Sequence, residues 1–176
     1  LIALGANVVL MSQRQGKTRS LELPLEDLYT GYRQNVMATD EVLAWIKVPL
    51  PQDGEFLRAY KISKRFEDDI SAVCLAICLQ LDDGHIRRAS IGAGGVAATP
   101  ARARRTEAAL IGHAPDGATF EGAARALQAE FEPISDMRAS AAYRRELLGS
   151  LVRRFALELQ GEANTSIDTL VLEDRP

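Results

Sequence analysis

Cysteine is nearly absent from this chain of 176 residues: Cys74 and Cys78 are the only two. Two thiols cannot supply the four ligands that a structural zinc or an iron-sulfur cluster requires. On an alternating strand their spacing puts them on one face about 13 Å apart, beyond the reach of a disulfide. Both are therefore expected to serve as small buried hydrophobes in a reducing compartment. Histidine is equally scarce. His85 and His113 stand alone, without a carboxylate or second ligand at metal spacing, and are expected in exposed turns. No Gly-flanked serine suggests a hydrolase elbow, and no Cys/His arrangement suggests a thiol nucleophile.

Neither sign of charge prevails. Lys and Arg number 21 against 24 Asp and Glu, for a formal net charge of -3, so nothing draws the chain to nucleic acid or to an anionic membrane. The longest apolar run, around Ala72 to Leu79, falls well short of the roughly 20 residues that span a bilayer, and no basic, apolar leader opens the chain. The expectation is a cytoplasmic protein with no nucleic-acid partner and no membrane partner. A hydrophobic content of 47% at this length allows a real core in one or two domains. The opening Leu-Ile-Ala-Leu-Gly lacks Met and reads as the last turn of a helix with a glycine stop, as if the chain began in mid-domain.

Periodicity divides the rest. Asn7 to Ser12 and Lys17 to Leu23 alternate as strands joined at Arg14, Gln15 and Gly16; Leu25, Leu28 and Tyr29 suit a short helical face, and Val42 to Val48 reads as a strand stopped by Pro49. Leu50 to Glu55, with Pro51, an aspartate and a glycine, and with Pro49 just ahead of it, is the linker candidate. Beyond it lie three candidate strands, Phe56 to Ser63, Ala72 to Leu81 and His85 to Ala93, the last two joined by the Asp82-Asp83-Gly84 turn. With Thr99 and Pro100 as the start, three helices follow near Ala103 to Ile111, Phe120 to Phe131 and Ala141 to Gln160. The third shows Tyr143, Leu147, Leu151, Phe155 and Leu159 at steps of four, with Arg144, Arg145, Arg153 and Arg154 beside them. The fold class is α+β: the end of one α+β domain, then a three-stranded antiparallel sheet packed with three helices.

Two clusters stand out for chemistry. Lys61-Ile62-Ser63-Lys64-Arg65-Phe66-Glu67-Asp68-Asp69-Ile70 leaves a strand with three bases and approaches the next with three acids. Such a run is usually a solvated turn, although loops held between strands often carry binding groups. Gly92-Ala93-Gly94-Gly95 has the spacing of neither a dinucleotide fingerprint nor a phosphate loop, and reads as close packing of strand backbone.

The same residues carry a family resemblance. Tyr60-Lys61 through Arg65 with Glu67-Asp68-Asp69-Ile70 resembles the loop of xanthine dehydrogenases that borders the flavin ring. Gly31-Tyr32-Arg33, Asp40-Glu41-Val42-Leu43 and Ile46-Lys47-Val48-Pro49 resemble the last strands of that family's FAD domain. Ile91 to Ala97, Thr99 to Ala103, Thr106-Glu107 and Asp136 to Arg144 resemble its C-terminal domain. The paired Asp68 and Asp69 after Glu67 favour the xanthine dehydrogenase branch over carbon monoxide dehydrogenase flavoproteins. The resemblance implies the C-terminal part of the FAD-binding small subunit of a bacterial xanthine dehydrogenase, a molybdenum hydroxylase. It divides the chain into the end of the FAD domain (1–53), a CO dehydrogenase flavoprotein-like C-terminal domain (54–161) and a tail (162–176).

The function so implied is passage of electrons from molybdopterin and 2Fe-2S centres elsewhere in a complex, through FAD, to NAD during purine hydroxylation. The implied partners are the N-terminal part of the small subunit and a molybdenum-binding large subunit. Carried over by position, Leu43 would pack near the flavin ring, Lys61 would approach its polar edge and Asp68 would lie near the face that NAD approaches. The family's segments that grip the FAD pyrophosphate have no counterpart in this sequence, so the isolated chain is expected to border FAD without holding it, and to be inactive alone. The alternative is a non-catalytic domain that docks subunits of a related molybdenum hydroxylase and binds no cofactor.

Overall fold

The computed structural model describes residues 1–65 and 69–161. Two antiparallel sheets follow each other along the chain. In the first, β1 (Asn7–Arg14) lies between β2 (Lys17–Pro24) and β5 (Glu41–Lys47). Gln15 and Gly16, at φ 51 and 73, make the β1–β2 turn, a conformation that suits glycine at its second position. The sheet's core face buries Val8 and Leu10 against Ala6, Leu25 and Leu28.

Leu25–Leu28 is a 3-10 turn, as the helical spacing suggested, but Tyr29 leaves it. Instead β3 (Tyr29–Gly31) pairs with β4 (Gln34–Asn35) in a small hairpin that the sequence reading missed. Strands of two or three residues carry too few alternating positions to show a period. At the chain's start Ile2–Leu4 forms a 3-10 turn closed by Gly5 at φ 68, matching the expected helical end and glycine stop.

The second sheet runs β6 (Glu55–Ile62), β7 (Val73–Asp82), β8 (His85–Gly94) and β9 (Ala101–Arg102). The first three are the anticipated strands. β9 adds a two-residue edge where a helix start was expected, and α1 begins only at Arg104. α1 (Arg104–Leu110), α2 (Gly117–Glu130) and α3 (Ala141–Leu159) cover one face, so Leu75, Ile77, Leu79 and Ile91 meet Phe120, Leu127, Leu148 and Phe155. Phe155 lies edge-on to Phe56, ring centroids 5.3 Å apart.

The buried arc of α3 is Arg144, Leu148, Gly149, Leu151, Val152, Phe155 and Ala156. Steps of four advance about 40° beyond each full turn, so the expected column drifts off the core at its ends. Tyr143 accordingly stands half exposed, and Leu147 and Leu159 are only partly buried. Arg144, expected on the polar flank, is inside.

The caps differ in origin. Asp116 and Ser140 accept the amides of Thr119 and Tyr143 as ordinary N-caps of α2 and α3. The α1 N-cap is Ala103, which has nothing to offer. Glu130, from the far end of α2, supplies the missing acceptor to the amides of Arg105 (2.8 Å) and Thr106 (2.9 Å) and to the Thr106 hydroxyl (2.6 Å). Glu130→Ala is expected to cost about 2 kcal/mol, more than an ordinary cap because three donors lose one charged acceptor. Urea denaturation of the chain would measure it, and an unchanged midpoint would contradict the assignment.

Candidate functional site

Alternation gives the second sheet a face without helices. Cross-strand partners share a face, so the register stacks three rows there: Lys61 with Cys74 and Gly94, Ala59 with Ala76 and Gly92, and Leu57 with Cys78 and Ser90. The central row carries no side chain longer than a methyl group. The result is a nearly bare platform, with one ammonium at its edge.

The platform is bordered by the first part of the chain. The Ile2–Leu4 turn packs on β8, and Gly92 makes that approach possible: a Cβ there would stand 3.2 Å from the Ala3 amide nitrogen and 3.3 Å from Ile2 Cβ. Glu26, within the Leu25–Leu28 turn, accepts from Arg104 (2.8 Å) and more distantly from Arg102 (3.4 Å), which fastens the first sheet's surroundings to β9 and α1. Arg102 also meets the buried Glu107 at 2.8 Å, and Glu107 accepts the Ile91 amide. Between the two parts lies a groove of about 350 Å³, lined in part by Ile2, Leu25, Tyr29, Cys74, Ala76 and Gly94. The glycine cluster thus acts by close packing, as its spacing indicated.

Lys61 extends from the exposed side of β6 and meets no hydrogen-bond or ion-pair partner among the described residues. Leu43 lies in β5 of the other sheet, paired with Leu10 and partly exposed. The structure places the two in separate sheets and joins them in no common core cluster. Asp68 lies outside the described residues, as do Phe66 and Glu67. Asp69, within them, accepts the amides of Arg65 (3.2 Å) and Ile70 (2.8 Å), so this acid closes its own turn.

The cysteines separate where a common buried role was expected. Cys78 is buried and donates to Glu55 at 3.0 Å; burial and that bond push its thiol up to about 11, which keeps it protonated and unreactive. Cys74, on the same face but in the row of Lys61 and Gly94, is exposed, whereas Glu55 accepts from both Cys78 and Arg88 at the other end. The histidines behave as predicted for turn residues: each is exposed and bonds through Nδ1 to a carbonyl two residues back, His85 to Asp83 and His113 to Ile111. Among the described residues no group of three or more His, Cys, Asp or Glu could hold a metal ion. No described helix is long and apolar enough to cross a membrane. The arrangement can seat a flat group against backbone and place a cation beside it.

Sequence reasoning also missed Arg144, whose guanidinium is buried at the end of the sheet nearest Lys61. A second arginine directly follows it in the sequence, and nothing local distinguishes the two.

Residues 58–159 match the family described as the CO dehydrogenase flavoprotein C-terminal domain. A xanthine dehydrogenase of Emericella nidulans is 33% identical over 133 residues, 74% of this chain and 10% of that protein. The carbon monoxide dehydrogenase medium chain of Afipia carboxidovorans is 33% identical over 128 residues, 73% of this chain and 44% of its own length. Among solved structures, carbon monoxide dehydrogenase from Hydrogenophaga pseudoflava superposes with a TM-score of 0.78 at 28% identity, over 87% of this chain and 52% of that one. The chain thus spans about a tenth of the first relative and about half of the other two chains.

Proposed function

Since this chain belongs to the CO dehydrogenase flavoprotein C-terminal domain family, we propose that it forms the flavin-flanking part of the FAD module of a molybdenum hydroxylase of xanthine dehydrogenase type. In this reading electrons from a purine arrive through molybdopterin and 2Fe-2S centres held elsewhere in the complex, and leave to NAD. The partners are the N-terminal part of the small subunit and a molybdenum-binding large subunit. The division at residues 53 and 54, with 162–176 as a tail, belongs to the same proposal.

The observation that carries the reading is the bare platform with Lys61 at its rim. Cys74, Ala76 and Gly94 line the groove that would take a planar ring, the Ile2–Leu4 turn closes over Gly92, and the row register sets Lys61 to one side of the groove. These residues fit the group. When bound, FAD supplies the redox chemistry, and the protein contributes binding, orientation and electrostatics. The small side chains admit the ring, and the Lys61 cation favours the negative charge gained on reduction. Leu43 offers an apolar contact from the first sheet.

Two opposite charges at about 4 Å interact by about 1 kcal/mol in water and about 4 kcal/mol at an effective dielectric of 20. Lys61 is exposed, so a value near the low end applies. In the complete, flavin-loaded enzyme, Lys61→Met is expected to lower the flavin midpoint potential by about 30 mV, equivalent to about 1.4 kcal/mol over two electrons. Asp68→Asn, which removes an anion on the strength of the resemblance alone, is expected to raise it. Redox titration decides the matter: shifts of the same sign, or none in either variant, would return this run to the role of a solvated turn.

A further inference from the structure

The row containing Lys61 lies close to the end of the sheet, and what closes that end is a helix residue. Beyond the Lys61, Cys74 and Gly94 row, the Ala72 amide donates to the Ile62 carbonyl at 2.7 Å, joining the chain ahead of β7 to the end of β6. Arg144 Nη1, from the first turn of α3, donates to the carbonyls of both Ala72 (2.5 Å) and Gly95 (2.7 Å). One guanidinium therefore holds the segments flanking β7 and β8 immediately past their last paired residues, and through Ala72 it reaches Ile62, the neighbour of Lys61.

The opposite edge of the guanidinium is fixed too. Nη2 meets Asp136 Oδ1 at 2.6 Å. The Asp136 carboxyl is held down to about 2 by the amides of Arg138 and Ala139 and by Arg144, so it is an anion throughout the working range. The same α2–α3 connection receives Lys64, whose Nζ donates to the Met137 carbonyl at 2.7 Å. Chain on both sides of the Lys61 edge is thus tied to one connection, and Arg144 is its hub.

This network is more elaborate than burial of an arginine requires. The side chain is 4% exposed, and its Nε has no partner among the described residues. A cation placed there at the cost of an unsatisfied donor has its other contacts spent on the carbonyls that end two strands.

We propose that Arg144 is a positioning residue for the flavin platform: without touching the cofactor, it fixes the strand ends from which Lys61 projects. This rests on the role given to Lys61 above. A lysine at 144 keeps the charge but not the planar fork, and cannot reach both carbonyls and Asp136 with the same geometry. Misplacement of about 1 Å by a distant change can slow a reaction about a hundredfold, so a partial release should slow transfer about tenfold.

The test uses the complete flavin-loaded enzyme carrying Arg144→Lys, Lys61→Met, or both. Arg144→Lys is expected to lower the flavin potential in the same direction as Lys61→Met. It should slow reoxidation of the flavin by NAD about tenfold, with KM for NAD within about twofold. In the double variant the potential should equal that of Lys61→Met alone, because Arg144 acts through Lys61; additive shifts would overturn the proposal. If Lys61→Met shifts the potential and Arg144→Lys does not, the proposal falls while the functional reading stands. If Lys61→Met itself has no effect, both fall. Should Arg144→Lys fail to fold, Asp136→Asn retains an acceptor for the two amides and removes only the charge facing Arg144. It is expected to give a smaller shift of the same sign, and an unchanged potential there would equally overturn the proposal.

Discussion

Replacing Leu151 with aspartate is expected to unfold the second sheet and its helices together. Leu151 is 4% exposed in the middle of the buried arc of α3, within the core that includes Leu148, Val152 and Phe155. The substitution removes a buried apolar side chain, worth about 2–5 kcal/mol by comparison with leucine truncations, and adds a carboxylate that must be buried or drag its helix into water. Loss of the leucine packing and burial of the carboxylate together approach the whole of a stability at the low end of about 5–15 kcal/mol, which is enough to unfold the unit. Tyr143→Asp is the control. Tyr143 belongs to the same steps-of-four column but stands half exposed, so its replacement should change stability by no more than about 0.5 kcal/mol. Thermal melts followed by circular dichroism compare the two directly; equal losses would show that the arc described for α3 is misplaced.

Gly95→Ala should be the most damaging single-methyl change in this part of the chain. Gly95 has φ +79, a conformation that an L side chain adopts at a cost of about 1–2 kcal/mol. The added Cβ would stand 2.5 Å from the Ala72 carbonyl oxygen and 3.2 Å from Arg144 Nη1. The first contact is with backbone that Arg144 itself holds, so it cannot yield without loosening the hub. Strain and overpacking together suggest a loss of about 2–4 kcal/mol. Gly94→Ala, one residue earlier, meets Cys74 Cβ at an ordinary 3.6 Å and is expected to be near neutral. Denaturation midpoints would reveal the contrast, and equal effects would mean that the positive φ and close approach at Gly95 carry no energetic weight.

Both expectations concern places where sequence and structure contribute differently. Alternation in Phe56 to Ser63, Ala72 to Leu81 and His85 to Ala93 was enough to locate β6, β7 and β8, because the period of two reports a neighbour on each face whatever its identity. The three helices were legible for the same reason, to within a few residues at their ends. Alternation also placed Cys74 and Cys78 on one face, but what covers each depends on side chains of other strands, such as Glu55, which accepts from both Cys78 and Arg88. Cys78 is buried and Cys74 open, a difference that no property of the two cysteines foretells.

The candidate site divides in the same way. Lys61 was visible as the first base of an abrupt charge reversal, and its place on a strand followed from the pattern. That Ala59, Ala76 and Gly92 form one small-residue row beside it required the register of three strands, fixed by pairing across the sheet. Arg144 was the hardest to read. In the sequence it is one of two successive arginines near the start of a helix, and isolated helices put such residues in water. Only when α3 packs beside the ends of β7 and β8 do the carbonyls of Ala72 and Gly95 and the carboxylate of Asp136 converge on one of the two. Local periodicity determined the elements and their inward faces by itself, because it reflects contacts between near neighbours in the chain. The tertiary structure decided which polar group is buried and which small residues make a floor, because those contacts join residues up to 72 positions apart.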